Sequence, residues 1–298
     1  MDTKTLGKFL PKSHFLELPF SVVAMVAFGS RVKEYYNEDS DLDLLVVASG
    51  IPQKRHRRGK EIALLKKRLP LMPMDILLLL KEETLSNFKN HNPLFLDIAT
   101  EGIILIDTDG LLANIIEETR NYIKQNKIQK VTDGWIFPVK EGAPTFLSKV
   151  SNEDFSNAML RDGERDLAIG KRLKEEAFFD KSVYHFQQAV EKFIKAILIA
   201  MGIFKKTHFV GEELRALIDK GTIPGHWKEQ LSDAAEISEG IEPEVSLSRY
   251  PGISQDALWL PYEEYEESDS QQAQQKAERV LLIAKNFVTQ WFGSKKEE

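Results

Sequence analysis

Residues Ala27 to Val47 read AFGSRVKEYYNEDSDLDLLVV, and their reading decides the fold of the first half of the chain. Gly29-Ser30 closes an apolar run, Val22 to Phe28; after ten further residues, Asp41-Leu42-Asp43 opens a second run, Leu42 to Val47. Short apolar runs bounded by glycine or charge, and β-branched in part, predict buried strands. Side chains two apart on a strand face the same way. Asp41 and Asp43 therefore aim together, with Leu42 turned into the core. Neighbouring carboxylates repel unless a cation sits between them. Their oxygens favour hard ions, and Mg²⁺ typically takes one or two protein carboxylates plus substrate phosphates. Gly29 lets a phosphate approach the backbone, and Ser30 adds a hydroxyl donor. The combination points to a metal-bound nucleoside triphosphate. Either half alone carries little, because Asp-x-Asp marks many solvated strand ends and Gly-Ser is a common turn.

GSRVKEYYNEDSDLD fits the GS-x10-D-x-D signature of the DNA polymerase β-like nucleotidyltransferases. It most resembles their minimal branch, which is also similar to kanamycin nucleotidyltransferase. That resemblance implies a third carboxylate on a later strand. Asp75 fills the place in Met74 to Leu80, at the start of an apolar run where an unpaired charge would be costly. A structural aspartate at a strand start is the plainer alternative. By resemblance Asp41, Asp43 and Asp75 are the catalytic and metal-holding residues, two Mg²⁺ ions the cofactor, and an NTP the substrate. Gly29 and Ser30, with Arg31 a weaker candidate, bind the nucleotide.

The chain has 298 residues, a length that suggests two domains, and a hydrophobic content of 42% supplies real cores. A net charge of −6 does not mark a polycation built for nonspecific nucleic-acid binding. Without cysteine there is neither a disulfide nor a thiolate metal site. The first residues lack the apolar core of a signal peptide, and no stretch reaches the ~20 apolar residues of a membrane span. The expectation is a soluble cytoplasmic protein with no membrane partner.

Residues 1–20 predict a short helix and turn. Between the second strand and Pro70 the chain is basic, with Lys54, Arg55, Arg57, Arg58, Lys60, Lys66, Lys67 and Arg68 interleaved with apolar residues as on an amphipathic helix. Such a segment is a solvated helix face or an electrostatic guide for triphosphate or RNA. Thr84 to Gly102 predicts one helix capped by Thr84, Ile103 to Asp107 a strand, and Leu111 to about Lys127 a helix. This order gives an α/β (α+β) domain with a mixed sheet over 1–135. Residues 136–150, rich in Gly and Pro, read as a connection. From 151 to 298 the pattern is helical, most clearly in Ser182 to Met201, where Val183, Phe186, Val190, Phe193, Ile194 and Ile197 keep three- and four-residue spacing. Residues 151–298 are expected to be an all-α helical bundle.

Arg165-Asp166-Leu167, Tyr184 to Ala196 (YHFQQAVEKFIKA), Thr207-His208 and Arg249-Tyr250-Pro251 are similar to the HEPN domains. These are helical bundles, often paired by dimerisation and often fused to a minimal nucleotidyltransferase. The resemblance implies a homodimer. HEPN ribonucleases carry an arginine followed after four to six residues by histidine, and this sequence has no such spacing. His185 and His208 accordingly read as structural.

Together these readings predict an enzyme that moves an NMP, AMP by preference, from an NTP to an acceptor hydroxyl on a small molecule or a protein. Pyrophosphate is released, and the helical domain contributes acceptor or nucleotide contacts. The alternative is a non-catalytic nucleotide-binding regulatory or toxin–antitoxin-like module. RNA binding through the Lys54–Arg68 cluster is a third, weaker reading. The acceptor, the preferred NTP, the oligomer and the orientation of the domains are not encoded in any motif.

Overall fold

A computed structural model of the chain describes residues 15–32, 40–145, 149–254 and 257–293. The helix expected within residues 1–20 falls largely outside these. Contacts divide the chain into one unit up to Ile128, with Leu147–Lys149, and a second from Gln129 onward.

The first unit is built on a four-stranded mixed sheet of β1 (Ser21–Phe28), β2 (Leu42–Ser49), β3 (Met74–Leu79) and β4 (Ile103–Asp107), in the order β3-β2-β1-β4. β1 runs antiparallel to β2 and β4, whereas β2 and β3 are parallel. The parallel pair requires a crossover, and α1 (Gly59–Lys66) lies within it. Strand alternation sorts the core. Met25, Ala27, Leu42, Leu44 and Val46 join Leu65 and Leu69 on one face. Ala24, Val26, Phe28, Leu45 and Val47 meet Phe88, Phe95, Ile98 and Ile115 on the other. Both faces are covered, so the strands read as continuous apolar runs.

The expected single helix over Thr84–Gly102 is two, α2 (Lys81–Lys89) and α3 (Pro93–Glu101). His91 turns the chain with φ 49°, and Pro93 opens α3 while the Asn92 side chain accepts from Leu94 N at 3.1 Å. Thr84 is not the cap: it lies inside α2 and donates to the Leu80 carbonyl at 3.0 Å. α4 (Leu111–Gln125) completes the unit.

In the second unit, α5 (Asn152–Glu175) and α6 (Phe179–Ala200) pack along their lengths, followed by α7 (Gly211–Asp219), α8 (Lys228–Ile241) and the long α9 (Glu267–Gly293). α5 starts from a reciprocal cap: Ser151 Oγ accepts from Asp154 N at 3.1 Å, and Asp154 accepts from Ser151 N at 2.8 Å. Gly163 and Gly170 lie under Phe193 and Phe186 of α6. A Cβ at either position would stand 2.5 Å and 2.6 Å from the respective ring.

Residues 129–136 do not belong to the first unit. They form β5 (Gln129–Val131) and β6 (Gly134–Ile136), and β6 pairs with β7 (Ile203–Lys205) directly after α6. The hairpin turns at Asp133 with φ 58°, its Trp135 is buried, and beyond it the Phe137 amide donates to the Gly202 carbonyl at 2.8 Å.

Gly163→Val should lower the free energy of unfolding by about 2 kcal/mol, because a ring in a close-packed core cannot yield freely. Unchanged stability in equilibrium unfolding would show that the α5–α6 contact is looser than described.

Candidate active site

β2 is buried along its length except at its first acid and its last residue: Asp43 is half-buried between Leu42 and Leu44, both fully buried. Asp43 pairs with Asp75 in the parallel register of β2 and β3, and with Phe28 in the antiparallel register of β1. Paired residues share a face, so Asp43 and Asp75 stand side by side with Leu45 and Val47 beyond them. Asp41, two residues before Asp43, is exposed ahead of β2, and Asp75 is exposed on the edge strand β3.

Gly29 follows β1 with φ 81°, a backbone state that side chains resist. Space reinforces this, since a Cβ here would overlap the Asp43 carboxylate. The glycine thus brings its backbone against the acid. Ser30 and Arg31 continue into a short 3-10 turn, Ser30–Val32. The Arg31 guanidinium donates through Nε to the Ser40 carbonyl at 2.5 Å and reaches Met72 Sδ at 3.9 Å.

The donor set fits a hard divalent ion: carboxylate oxygens in register, beside a glycine cradle that a methyl would fill. It is not a closed cage. Among the described residues no three His, Cys, Asp or Glu side chains converge to hold an ion by themselves. A pair with a flanking third suits an ion that draws its remaining ligands from water and phosphate.

The basic segment is largely committed to the fold. Arg58 is 1% exposed and donates to the carbonyls of Pro52 (2.7 Å), Gln53 (2.8 Å) and Leu78 (2.8 Å) and to Glu83 at 2.7 Å. Arg55 meets the same carboxylate at 3.0 Å, Lys66 donates to the Met74 carbonyl at 2.7 Å, and Arg68 pairs with Glu17 at 2.6 Å. Arg58 is therefore no open guide for RNA, whereas Arg55 and Arg68 make their pairs at the surface. Glu83, absent from the sequence reading, joins Arg55 and Arg58. Burial would push its carboxyl up, but bonds from Arg58, the Leu80 amide and Arg55 prevail and hold it at about 2.

Among the described residues of the second unit, polar side chains cluster beside α6. His185 Nδ1 lies 3.0 Å from Asp166 Oδ1, and Lys192 bonds Asp166 and Asp162, each at 2.5 Å. Burial opposes the Asp166 charge, yet His185 and Lys192 hold its carboxyl below the usual range. Glu191 is buried between Lys195 at 2.8 Å and His208 at 3.0 Å. Arg249 lies over the rings of Tyr184 and Tyr250, 5.1 Å and 4.8 Å from their centroids. No described helix is long and apolar enough to cross a membrane.

The family model of the nucleotidyltransferase domain matches residues 12–106, and that of the HEPN domain matches residues 156–288. "Putative toxin MJ1304" of Methanocaldococcus jannaschii is 35% identical over 144 residues, which cover 48% of this chain and 95% of that protein. "Putative protein adenylyltransferase MJ1305" of the same organism is 30% identical over 133 residues, 43% of this chain and 89% of that protein. The crystal structure of ST0689, an archaeal HEPN homologue, aligns with 45% of this chain and 97% of its own at 25% identity and a TM-score of 0.35.

The ion pair has a pH signature. A carboxyl held at about 2 in the fold and ordinarily at 4.5 contributes stability in full above 4.5, and that stability is lost as pH falls through about 2. Wild-type unfolding midpoints should fall more steeply than those of Glu83→Gln between these values, with the difference shrinking towards the lower one. Parallel melting curves would show that Glu83 does not hold this charge.

Proposed function

The chain belongs to the nucleotidyltransferase family through its first half and to the HEPN family through its second, and on that footing we propose that it transfers AMP from ATP to an acceptor hydroxyl, releasing pyrophosphate. One observation carries the reading. Asp43 and Asp75 are registered side by side on parallel strands, with the Gly29 backbone against Asp43.

The acceptor oxygen forms a bond to the α-phosphorus. The bond from that phosphorus to the oxygen bridging to the β-phosphate breaks, and pyrophosphate leaves with the electron pair. The acceptor proton passes to Asp75. Gly29 admits the triphosphate to the backbone, and the Ser30 hydroxyl donates to it. Asp41, Asp43 and Asp75 would hold Mg²⁺, two ions in all, which when bound offset the charge of the triphosphate and of the departing pyrophosphate. The protein's share is to hold Asp43 and Asp75 in register on paired strands, with Asp41 directly ahead of β2, so that substrate meets acids already placed.

A hydroxyl on a protein is the favoured acceptor, because one relative bears the name of a protein adenylyltransferase. The helical half supplies acceptor or nucleotide contacts and the dimer interface. A second reading, a non-catalytic toxin–antitoxin-like module, draws support from the relative named as a toxin. Against a ribonuclease of the usual HEPN kind stands the missing Arg-x4-6-His spacing.

With Mg²⁺ and each of the four NTPs, wild type should release pyrophosphate, fastest from ATP. Asp41→Asn/Asp43→Asn should reduce release by about a hundredfold or more, since even the supports of a metal ligand matter by 10–100-fold. A mass gain of one nucleotide on the intact chain would name the protein itself as acceptor. NTP binding without release under any condition would favour the regulatory module. Gly29→Ala should also abolish release while the fold survives, because the methyl displaces the Asp43 carboxylate; full activity in that variant would remove Gly29 from the site.

A further inference from the structure

The geometry points to Arg31 as a positioning residue that holds the two strand starts carrying the acids, rather than as a ligand of the triphosphate. This assignment rests on the nucleotidyltransferase reading and adds to it a support for the carboxylates.

Arg31 lies in the turn that follows Gly29, and its side chain crosses from there to two other parts of the chain. Nε donates to the carbonyl of Ser40, the residue directly before Asp41, at 2.5 Å. Nη1 reaches Met72 Sδ at 3.9 Å, just ahead of β3 and Asp75. One planar guanidinium therefore spans the starts of both acid-bearing strands. The backbone joins the same two points, since Leu42 N donates to the Pro73 carbonyl at 3.0 Å. Arg31 is half-buried, as befits a group braced against the chain.

The need for a brace follows from the strands themselves. Asp41 precedes β2 and is exposed, and Asp75 sits one residue into an edge strand. Strand ends fray, and a carboxylate on a frayed end samples many positions. Ligating groups keep their geometry only when their supports are fixed. Arginine suits the task because its fork is rigid and always charged, whereas lysine offers a point charge on a flexible stem and cannot reproduce the Nε bond.

Electrostatics gives the inference a sign. Removing a positive charge beside a cation site should, by Coulomb's law alone, tighten cation binding. Removing a brace should weaken it. Mn²⁺ affinity, measured without nucleotide by the paramagnetic signal of the free ion, separates the two. Arg31→Ala and Arg31→Lys should each weaken Mn²⁺ binding by about tenfold. The Leu42 amide should exchange with deuterium faster in both, with the overall unfolding midpoint close to wild type. Mn²⁺ binding that is unchanged or tighter in Arg31→Ala, together with weaker ATP binding, would overturn the assignment and make Arg31 a phosphate ligand. If wild type binds Mn²⁺ no better than Asp43→Asn both with and without ATP, Asp43 holds no ion, and the proposed transfer and the inference fall together. Unaltered exchange at Leu42 overturns the brace alone.

Discussion

The parallel pairing of β2 with β3 is the constraint on which the site depends. Parallel strands hold their partners in fixed register, and here the register sets Asp43 opposite Asp75. A slip of one residue would turn Asp43 from the face it shares with Leu45 and Val47 to the opposite one, and would set Met74 or Ile76 opposite it. The apolar residues that follow on both strands forbid that slip, since Leu44, Leu45, Val46 and Val47 are all fully buried. The core therefore does more than stabilise. It converts the hydrophobic sorting of β2 and β3 into a fixed placement of like charges that would otherwise separate.

Charge plays two different parts in the first unit. At the strand starts, Asp41 and Asp75 stand exposed and Asp43 is half-buried beside them. At the start of α1, Arg58 and Glu83 satisfy one another inside the fold, and Arg58 gathers carbonyls from Pro52, Gln53 and Leu78 as well. A buried cation of this kind needs all its donors used, because a partner removed leaves an uncompensated charge. The segment that looks like a surface for polyanions is in good part the fastening of the crossover between β2 and β3.

How much of this is legible in the sequence varies with the range of the interaction. The strands around Gly29 and Asp43 and the helix at 179–200 follow from local patterns, and each family resemblance rests on motifs that are short stretches of the chain. Asp75 was reachable by resemblance, although its register with Asp43 was not. Arg58 stands among eight similar cations between Lys54 and Arg68, and nothing in its neighbours tells which one turns inward. The break between α2 and α3 was signalled by Asn92-Pro93 and outweighed by the apolar spacing on either side. The tie from Arg31 to Ser40 and Met72 closes across the chain, where spacing carries no information.

The hairpin at 129–136 has a consequence for how the two halves can be separated. β6 lies in the middle of its sheet, with β5 on one side and β7 on the other. A recombinant fragment beginning at 151 would keep β7 and discard both of its sheet-mates. It would leave the backbone of Ile203–Lys205 without its partner strand and remove the buried Trp135. An open strand beside exposed apolar surface invites association between copies. Such a fragment would report an oligomer made by the cut. The natural seam for dissection lies after Ile128, where the second unit keeps the strand pair that completes it.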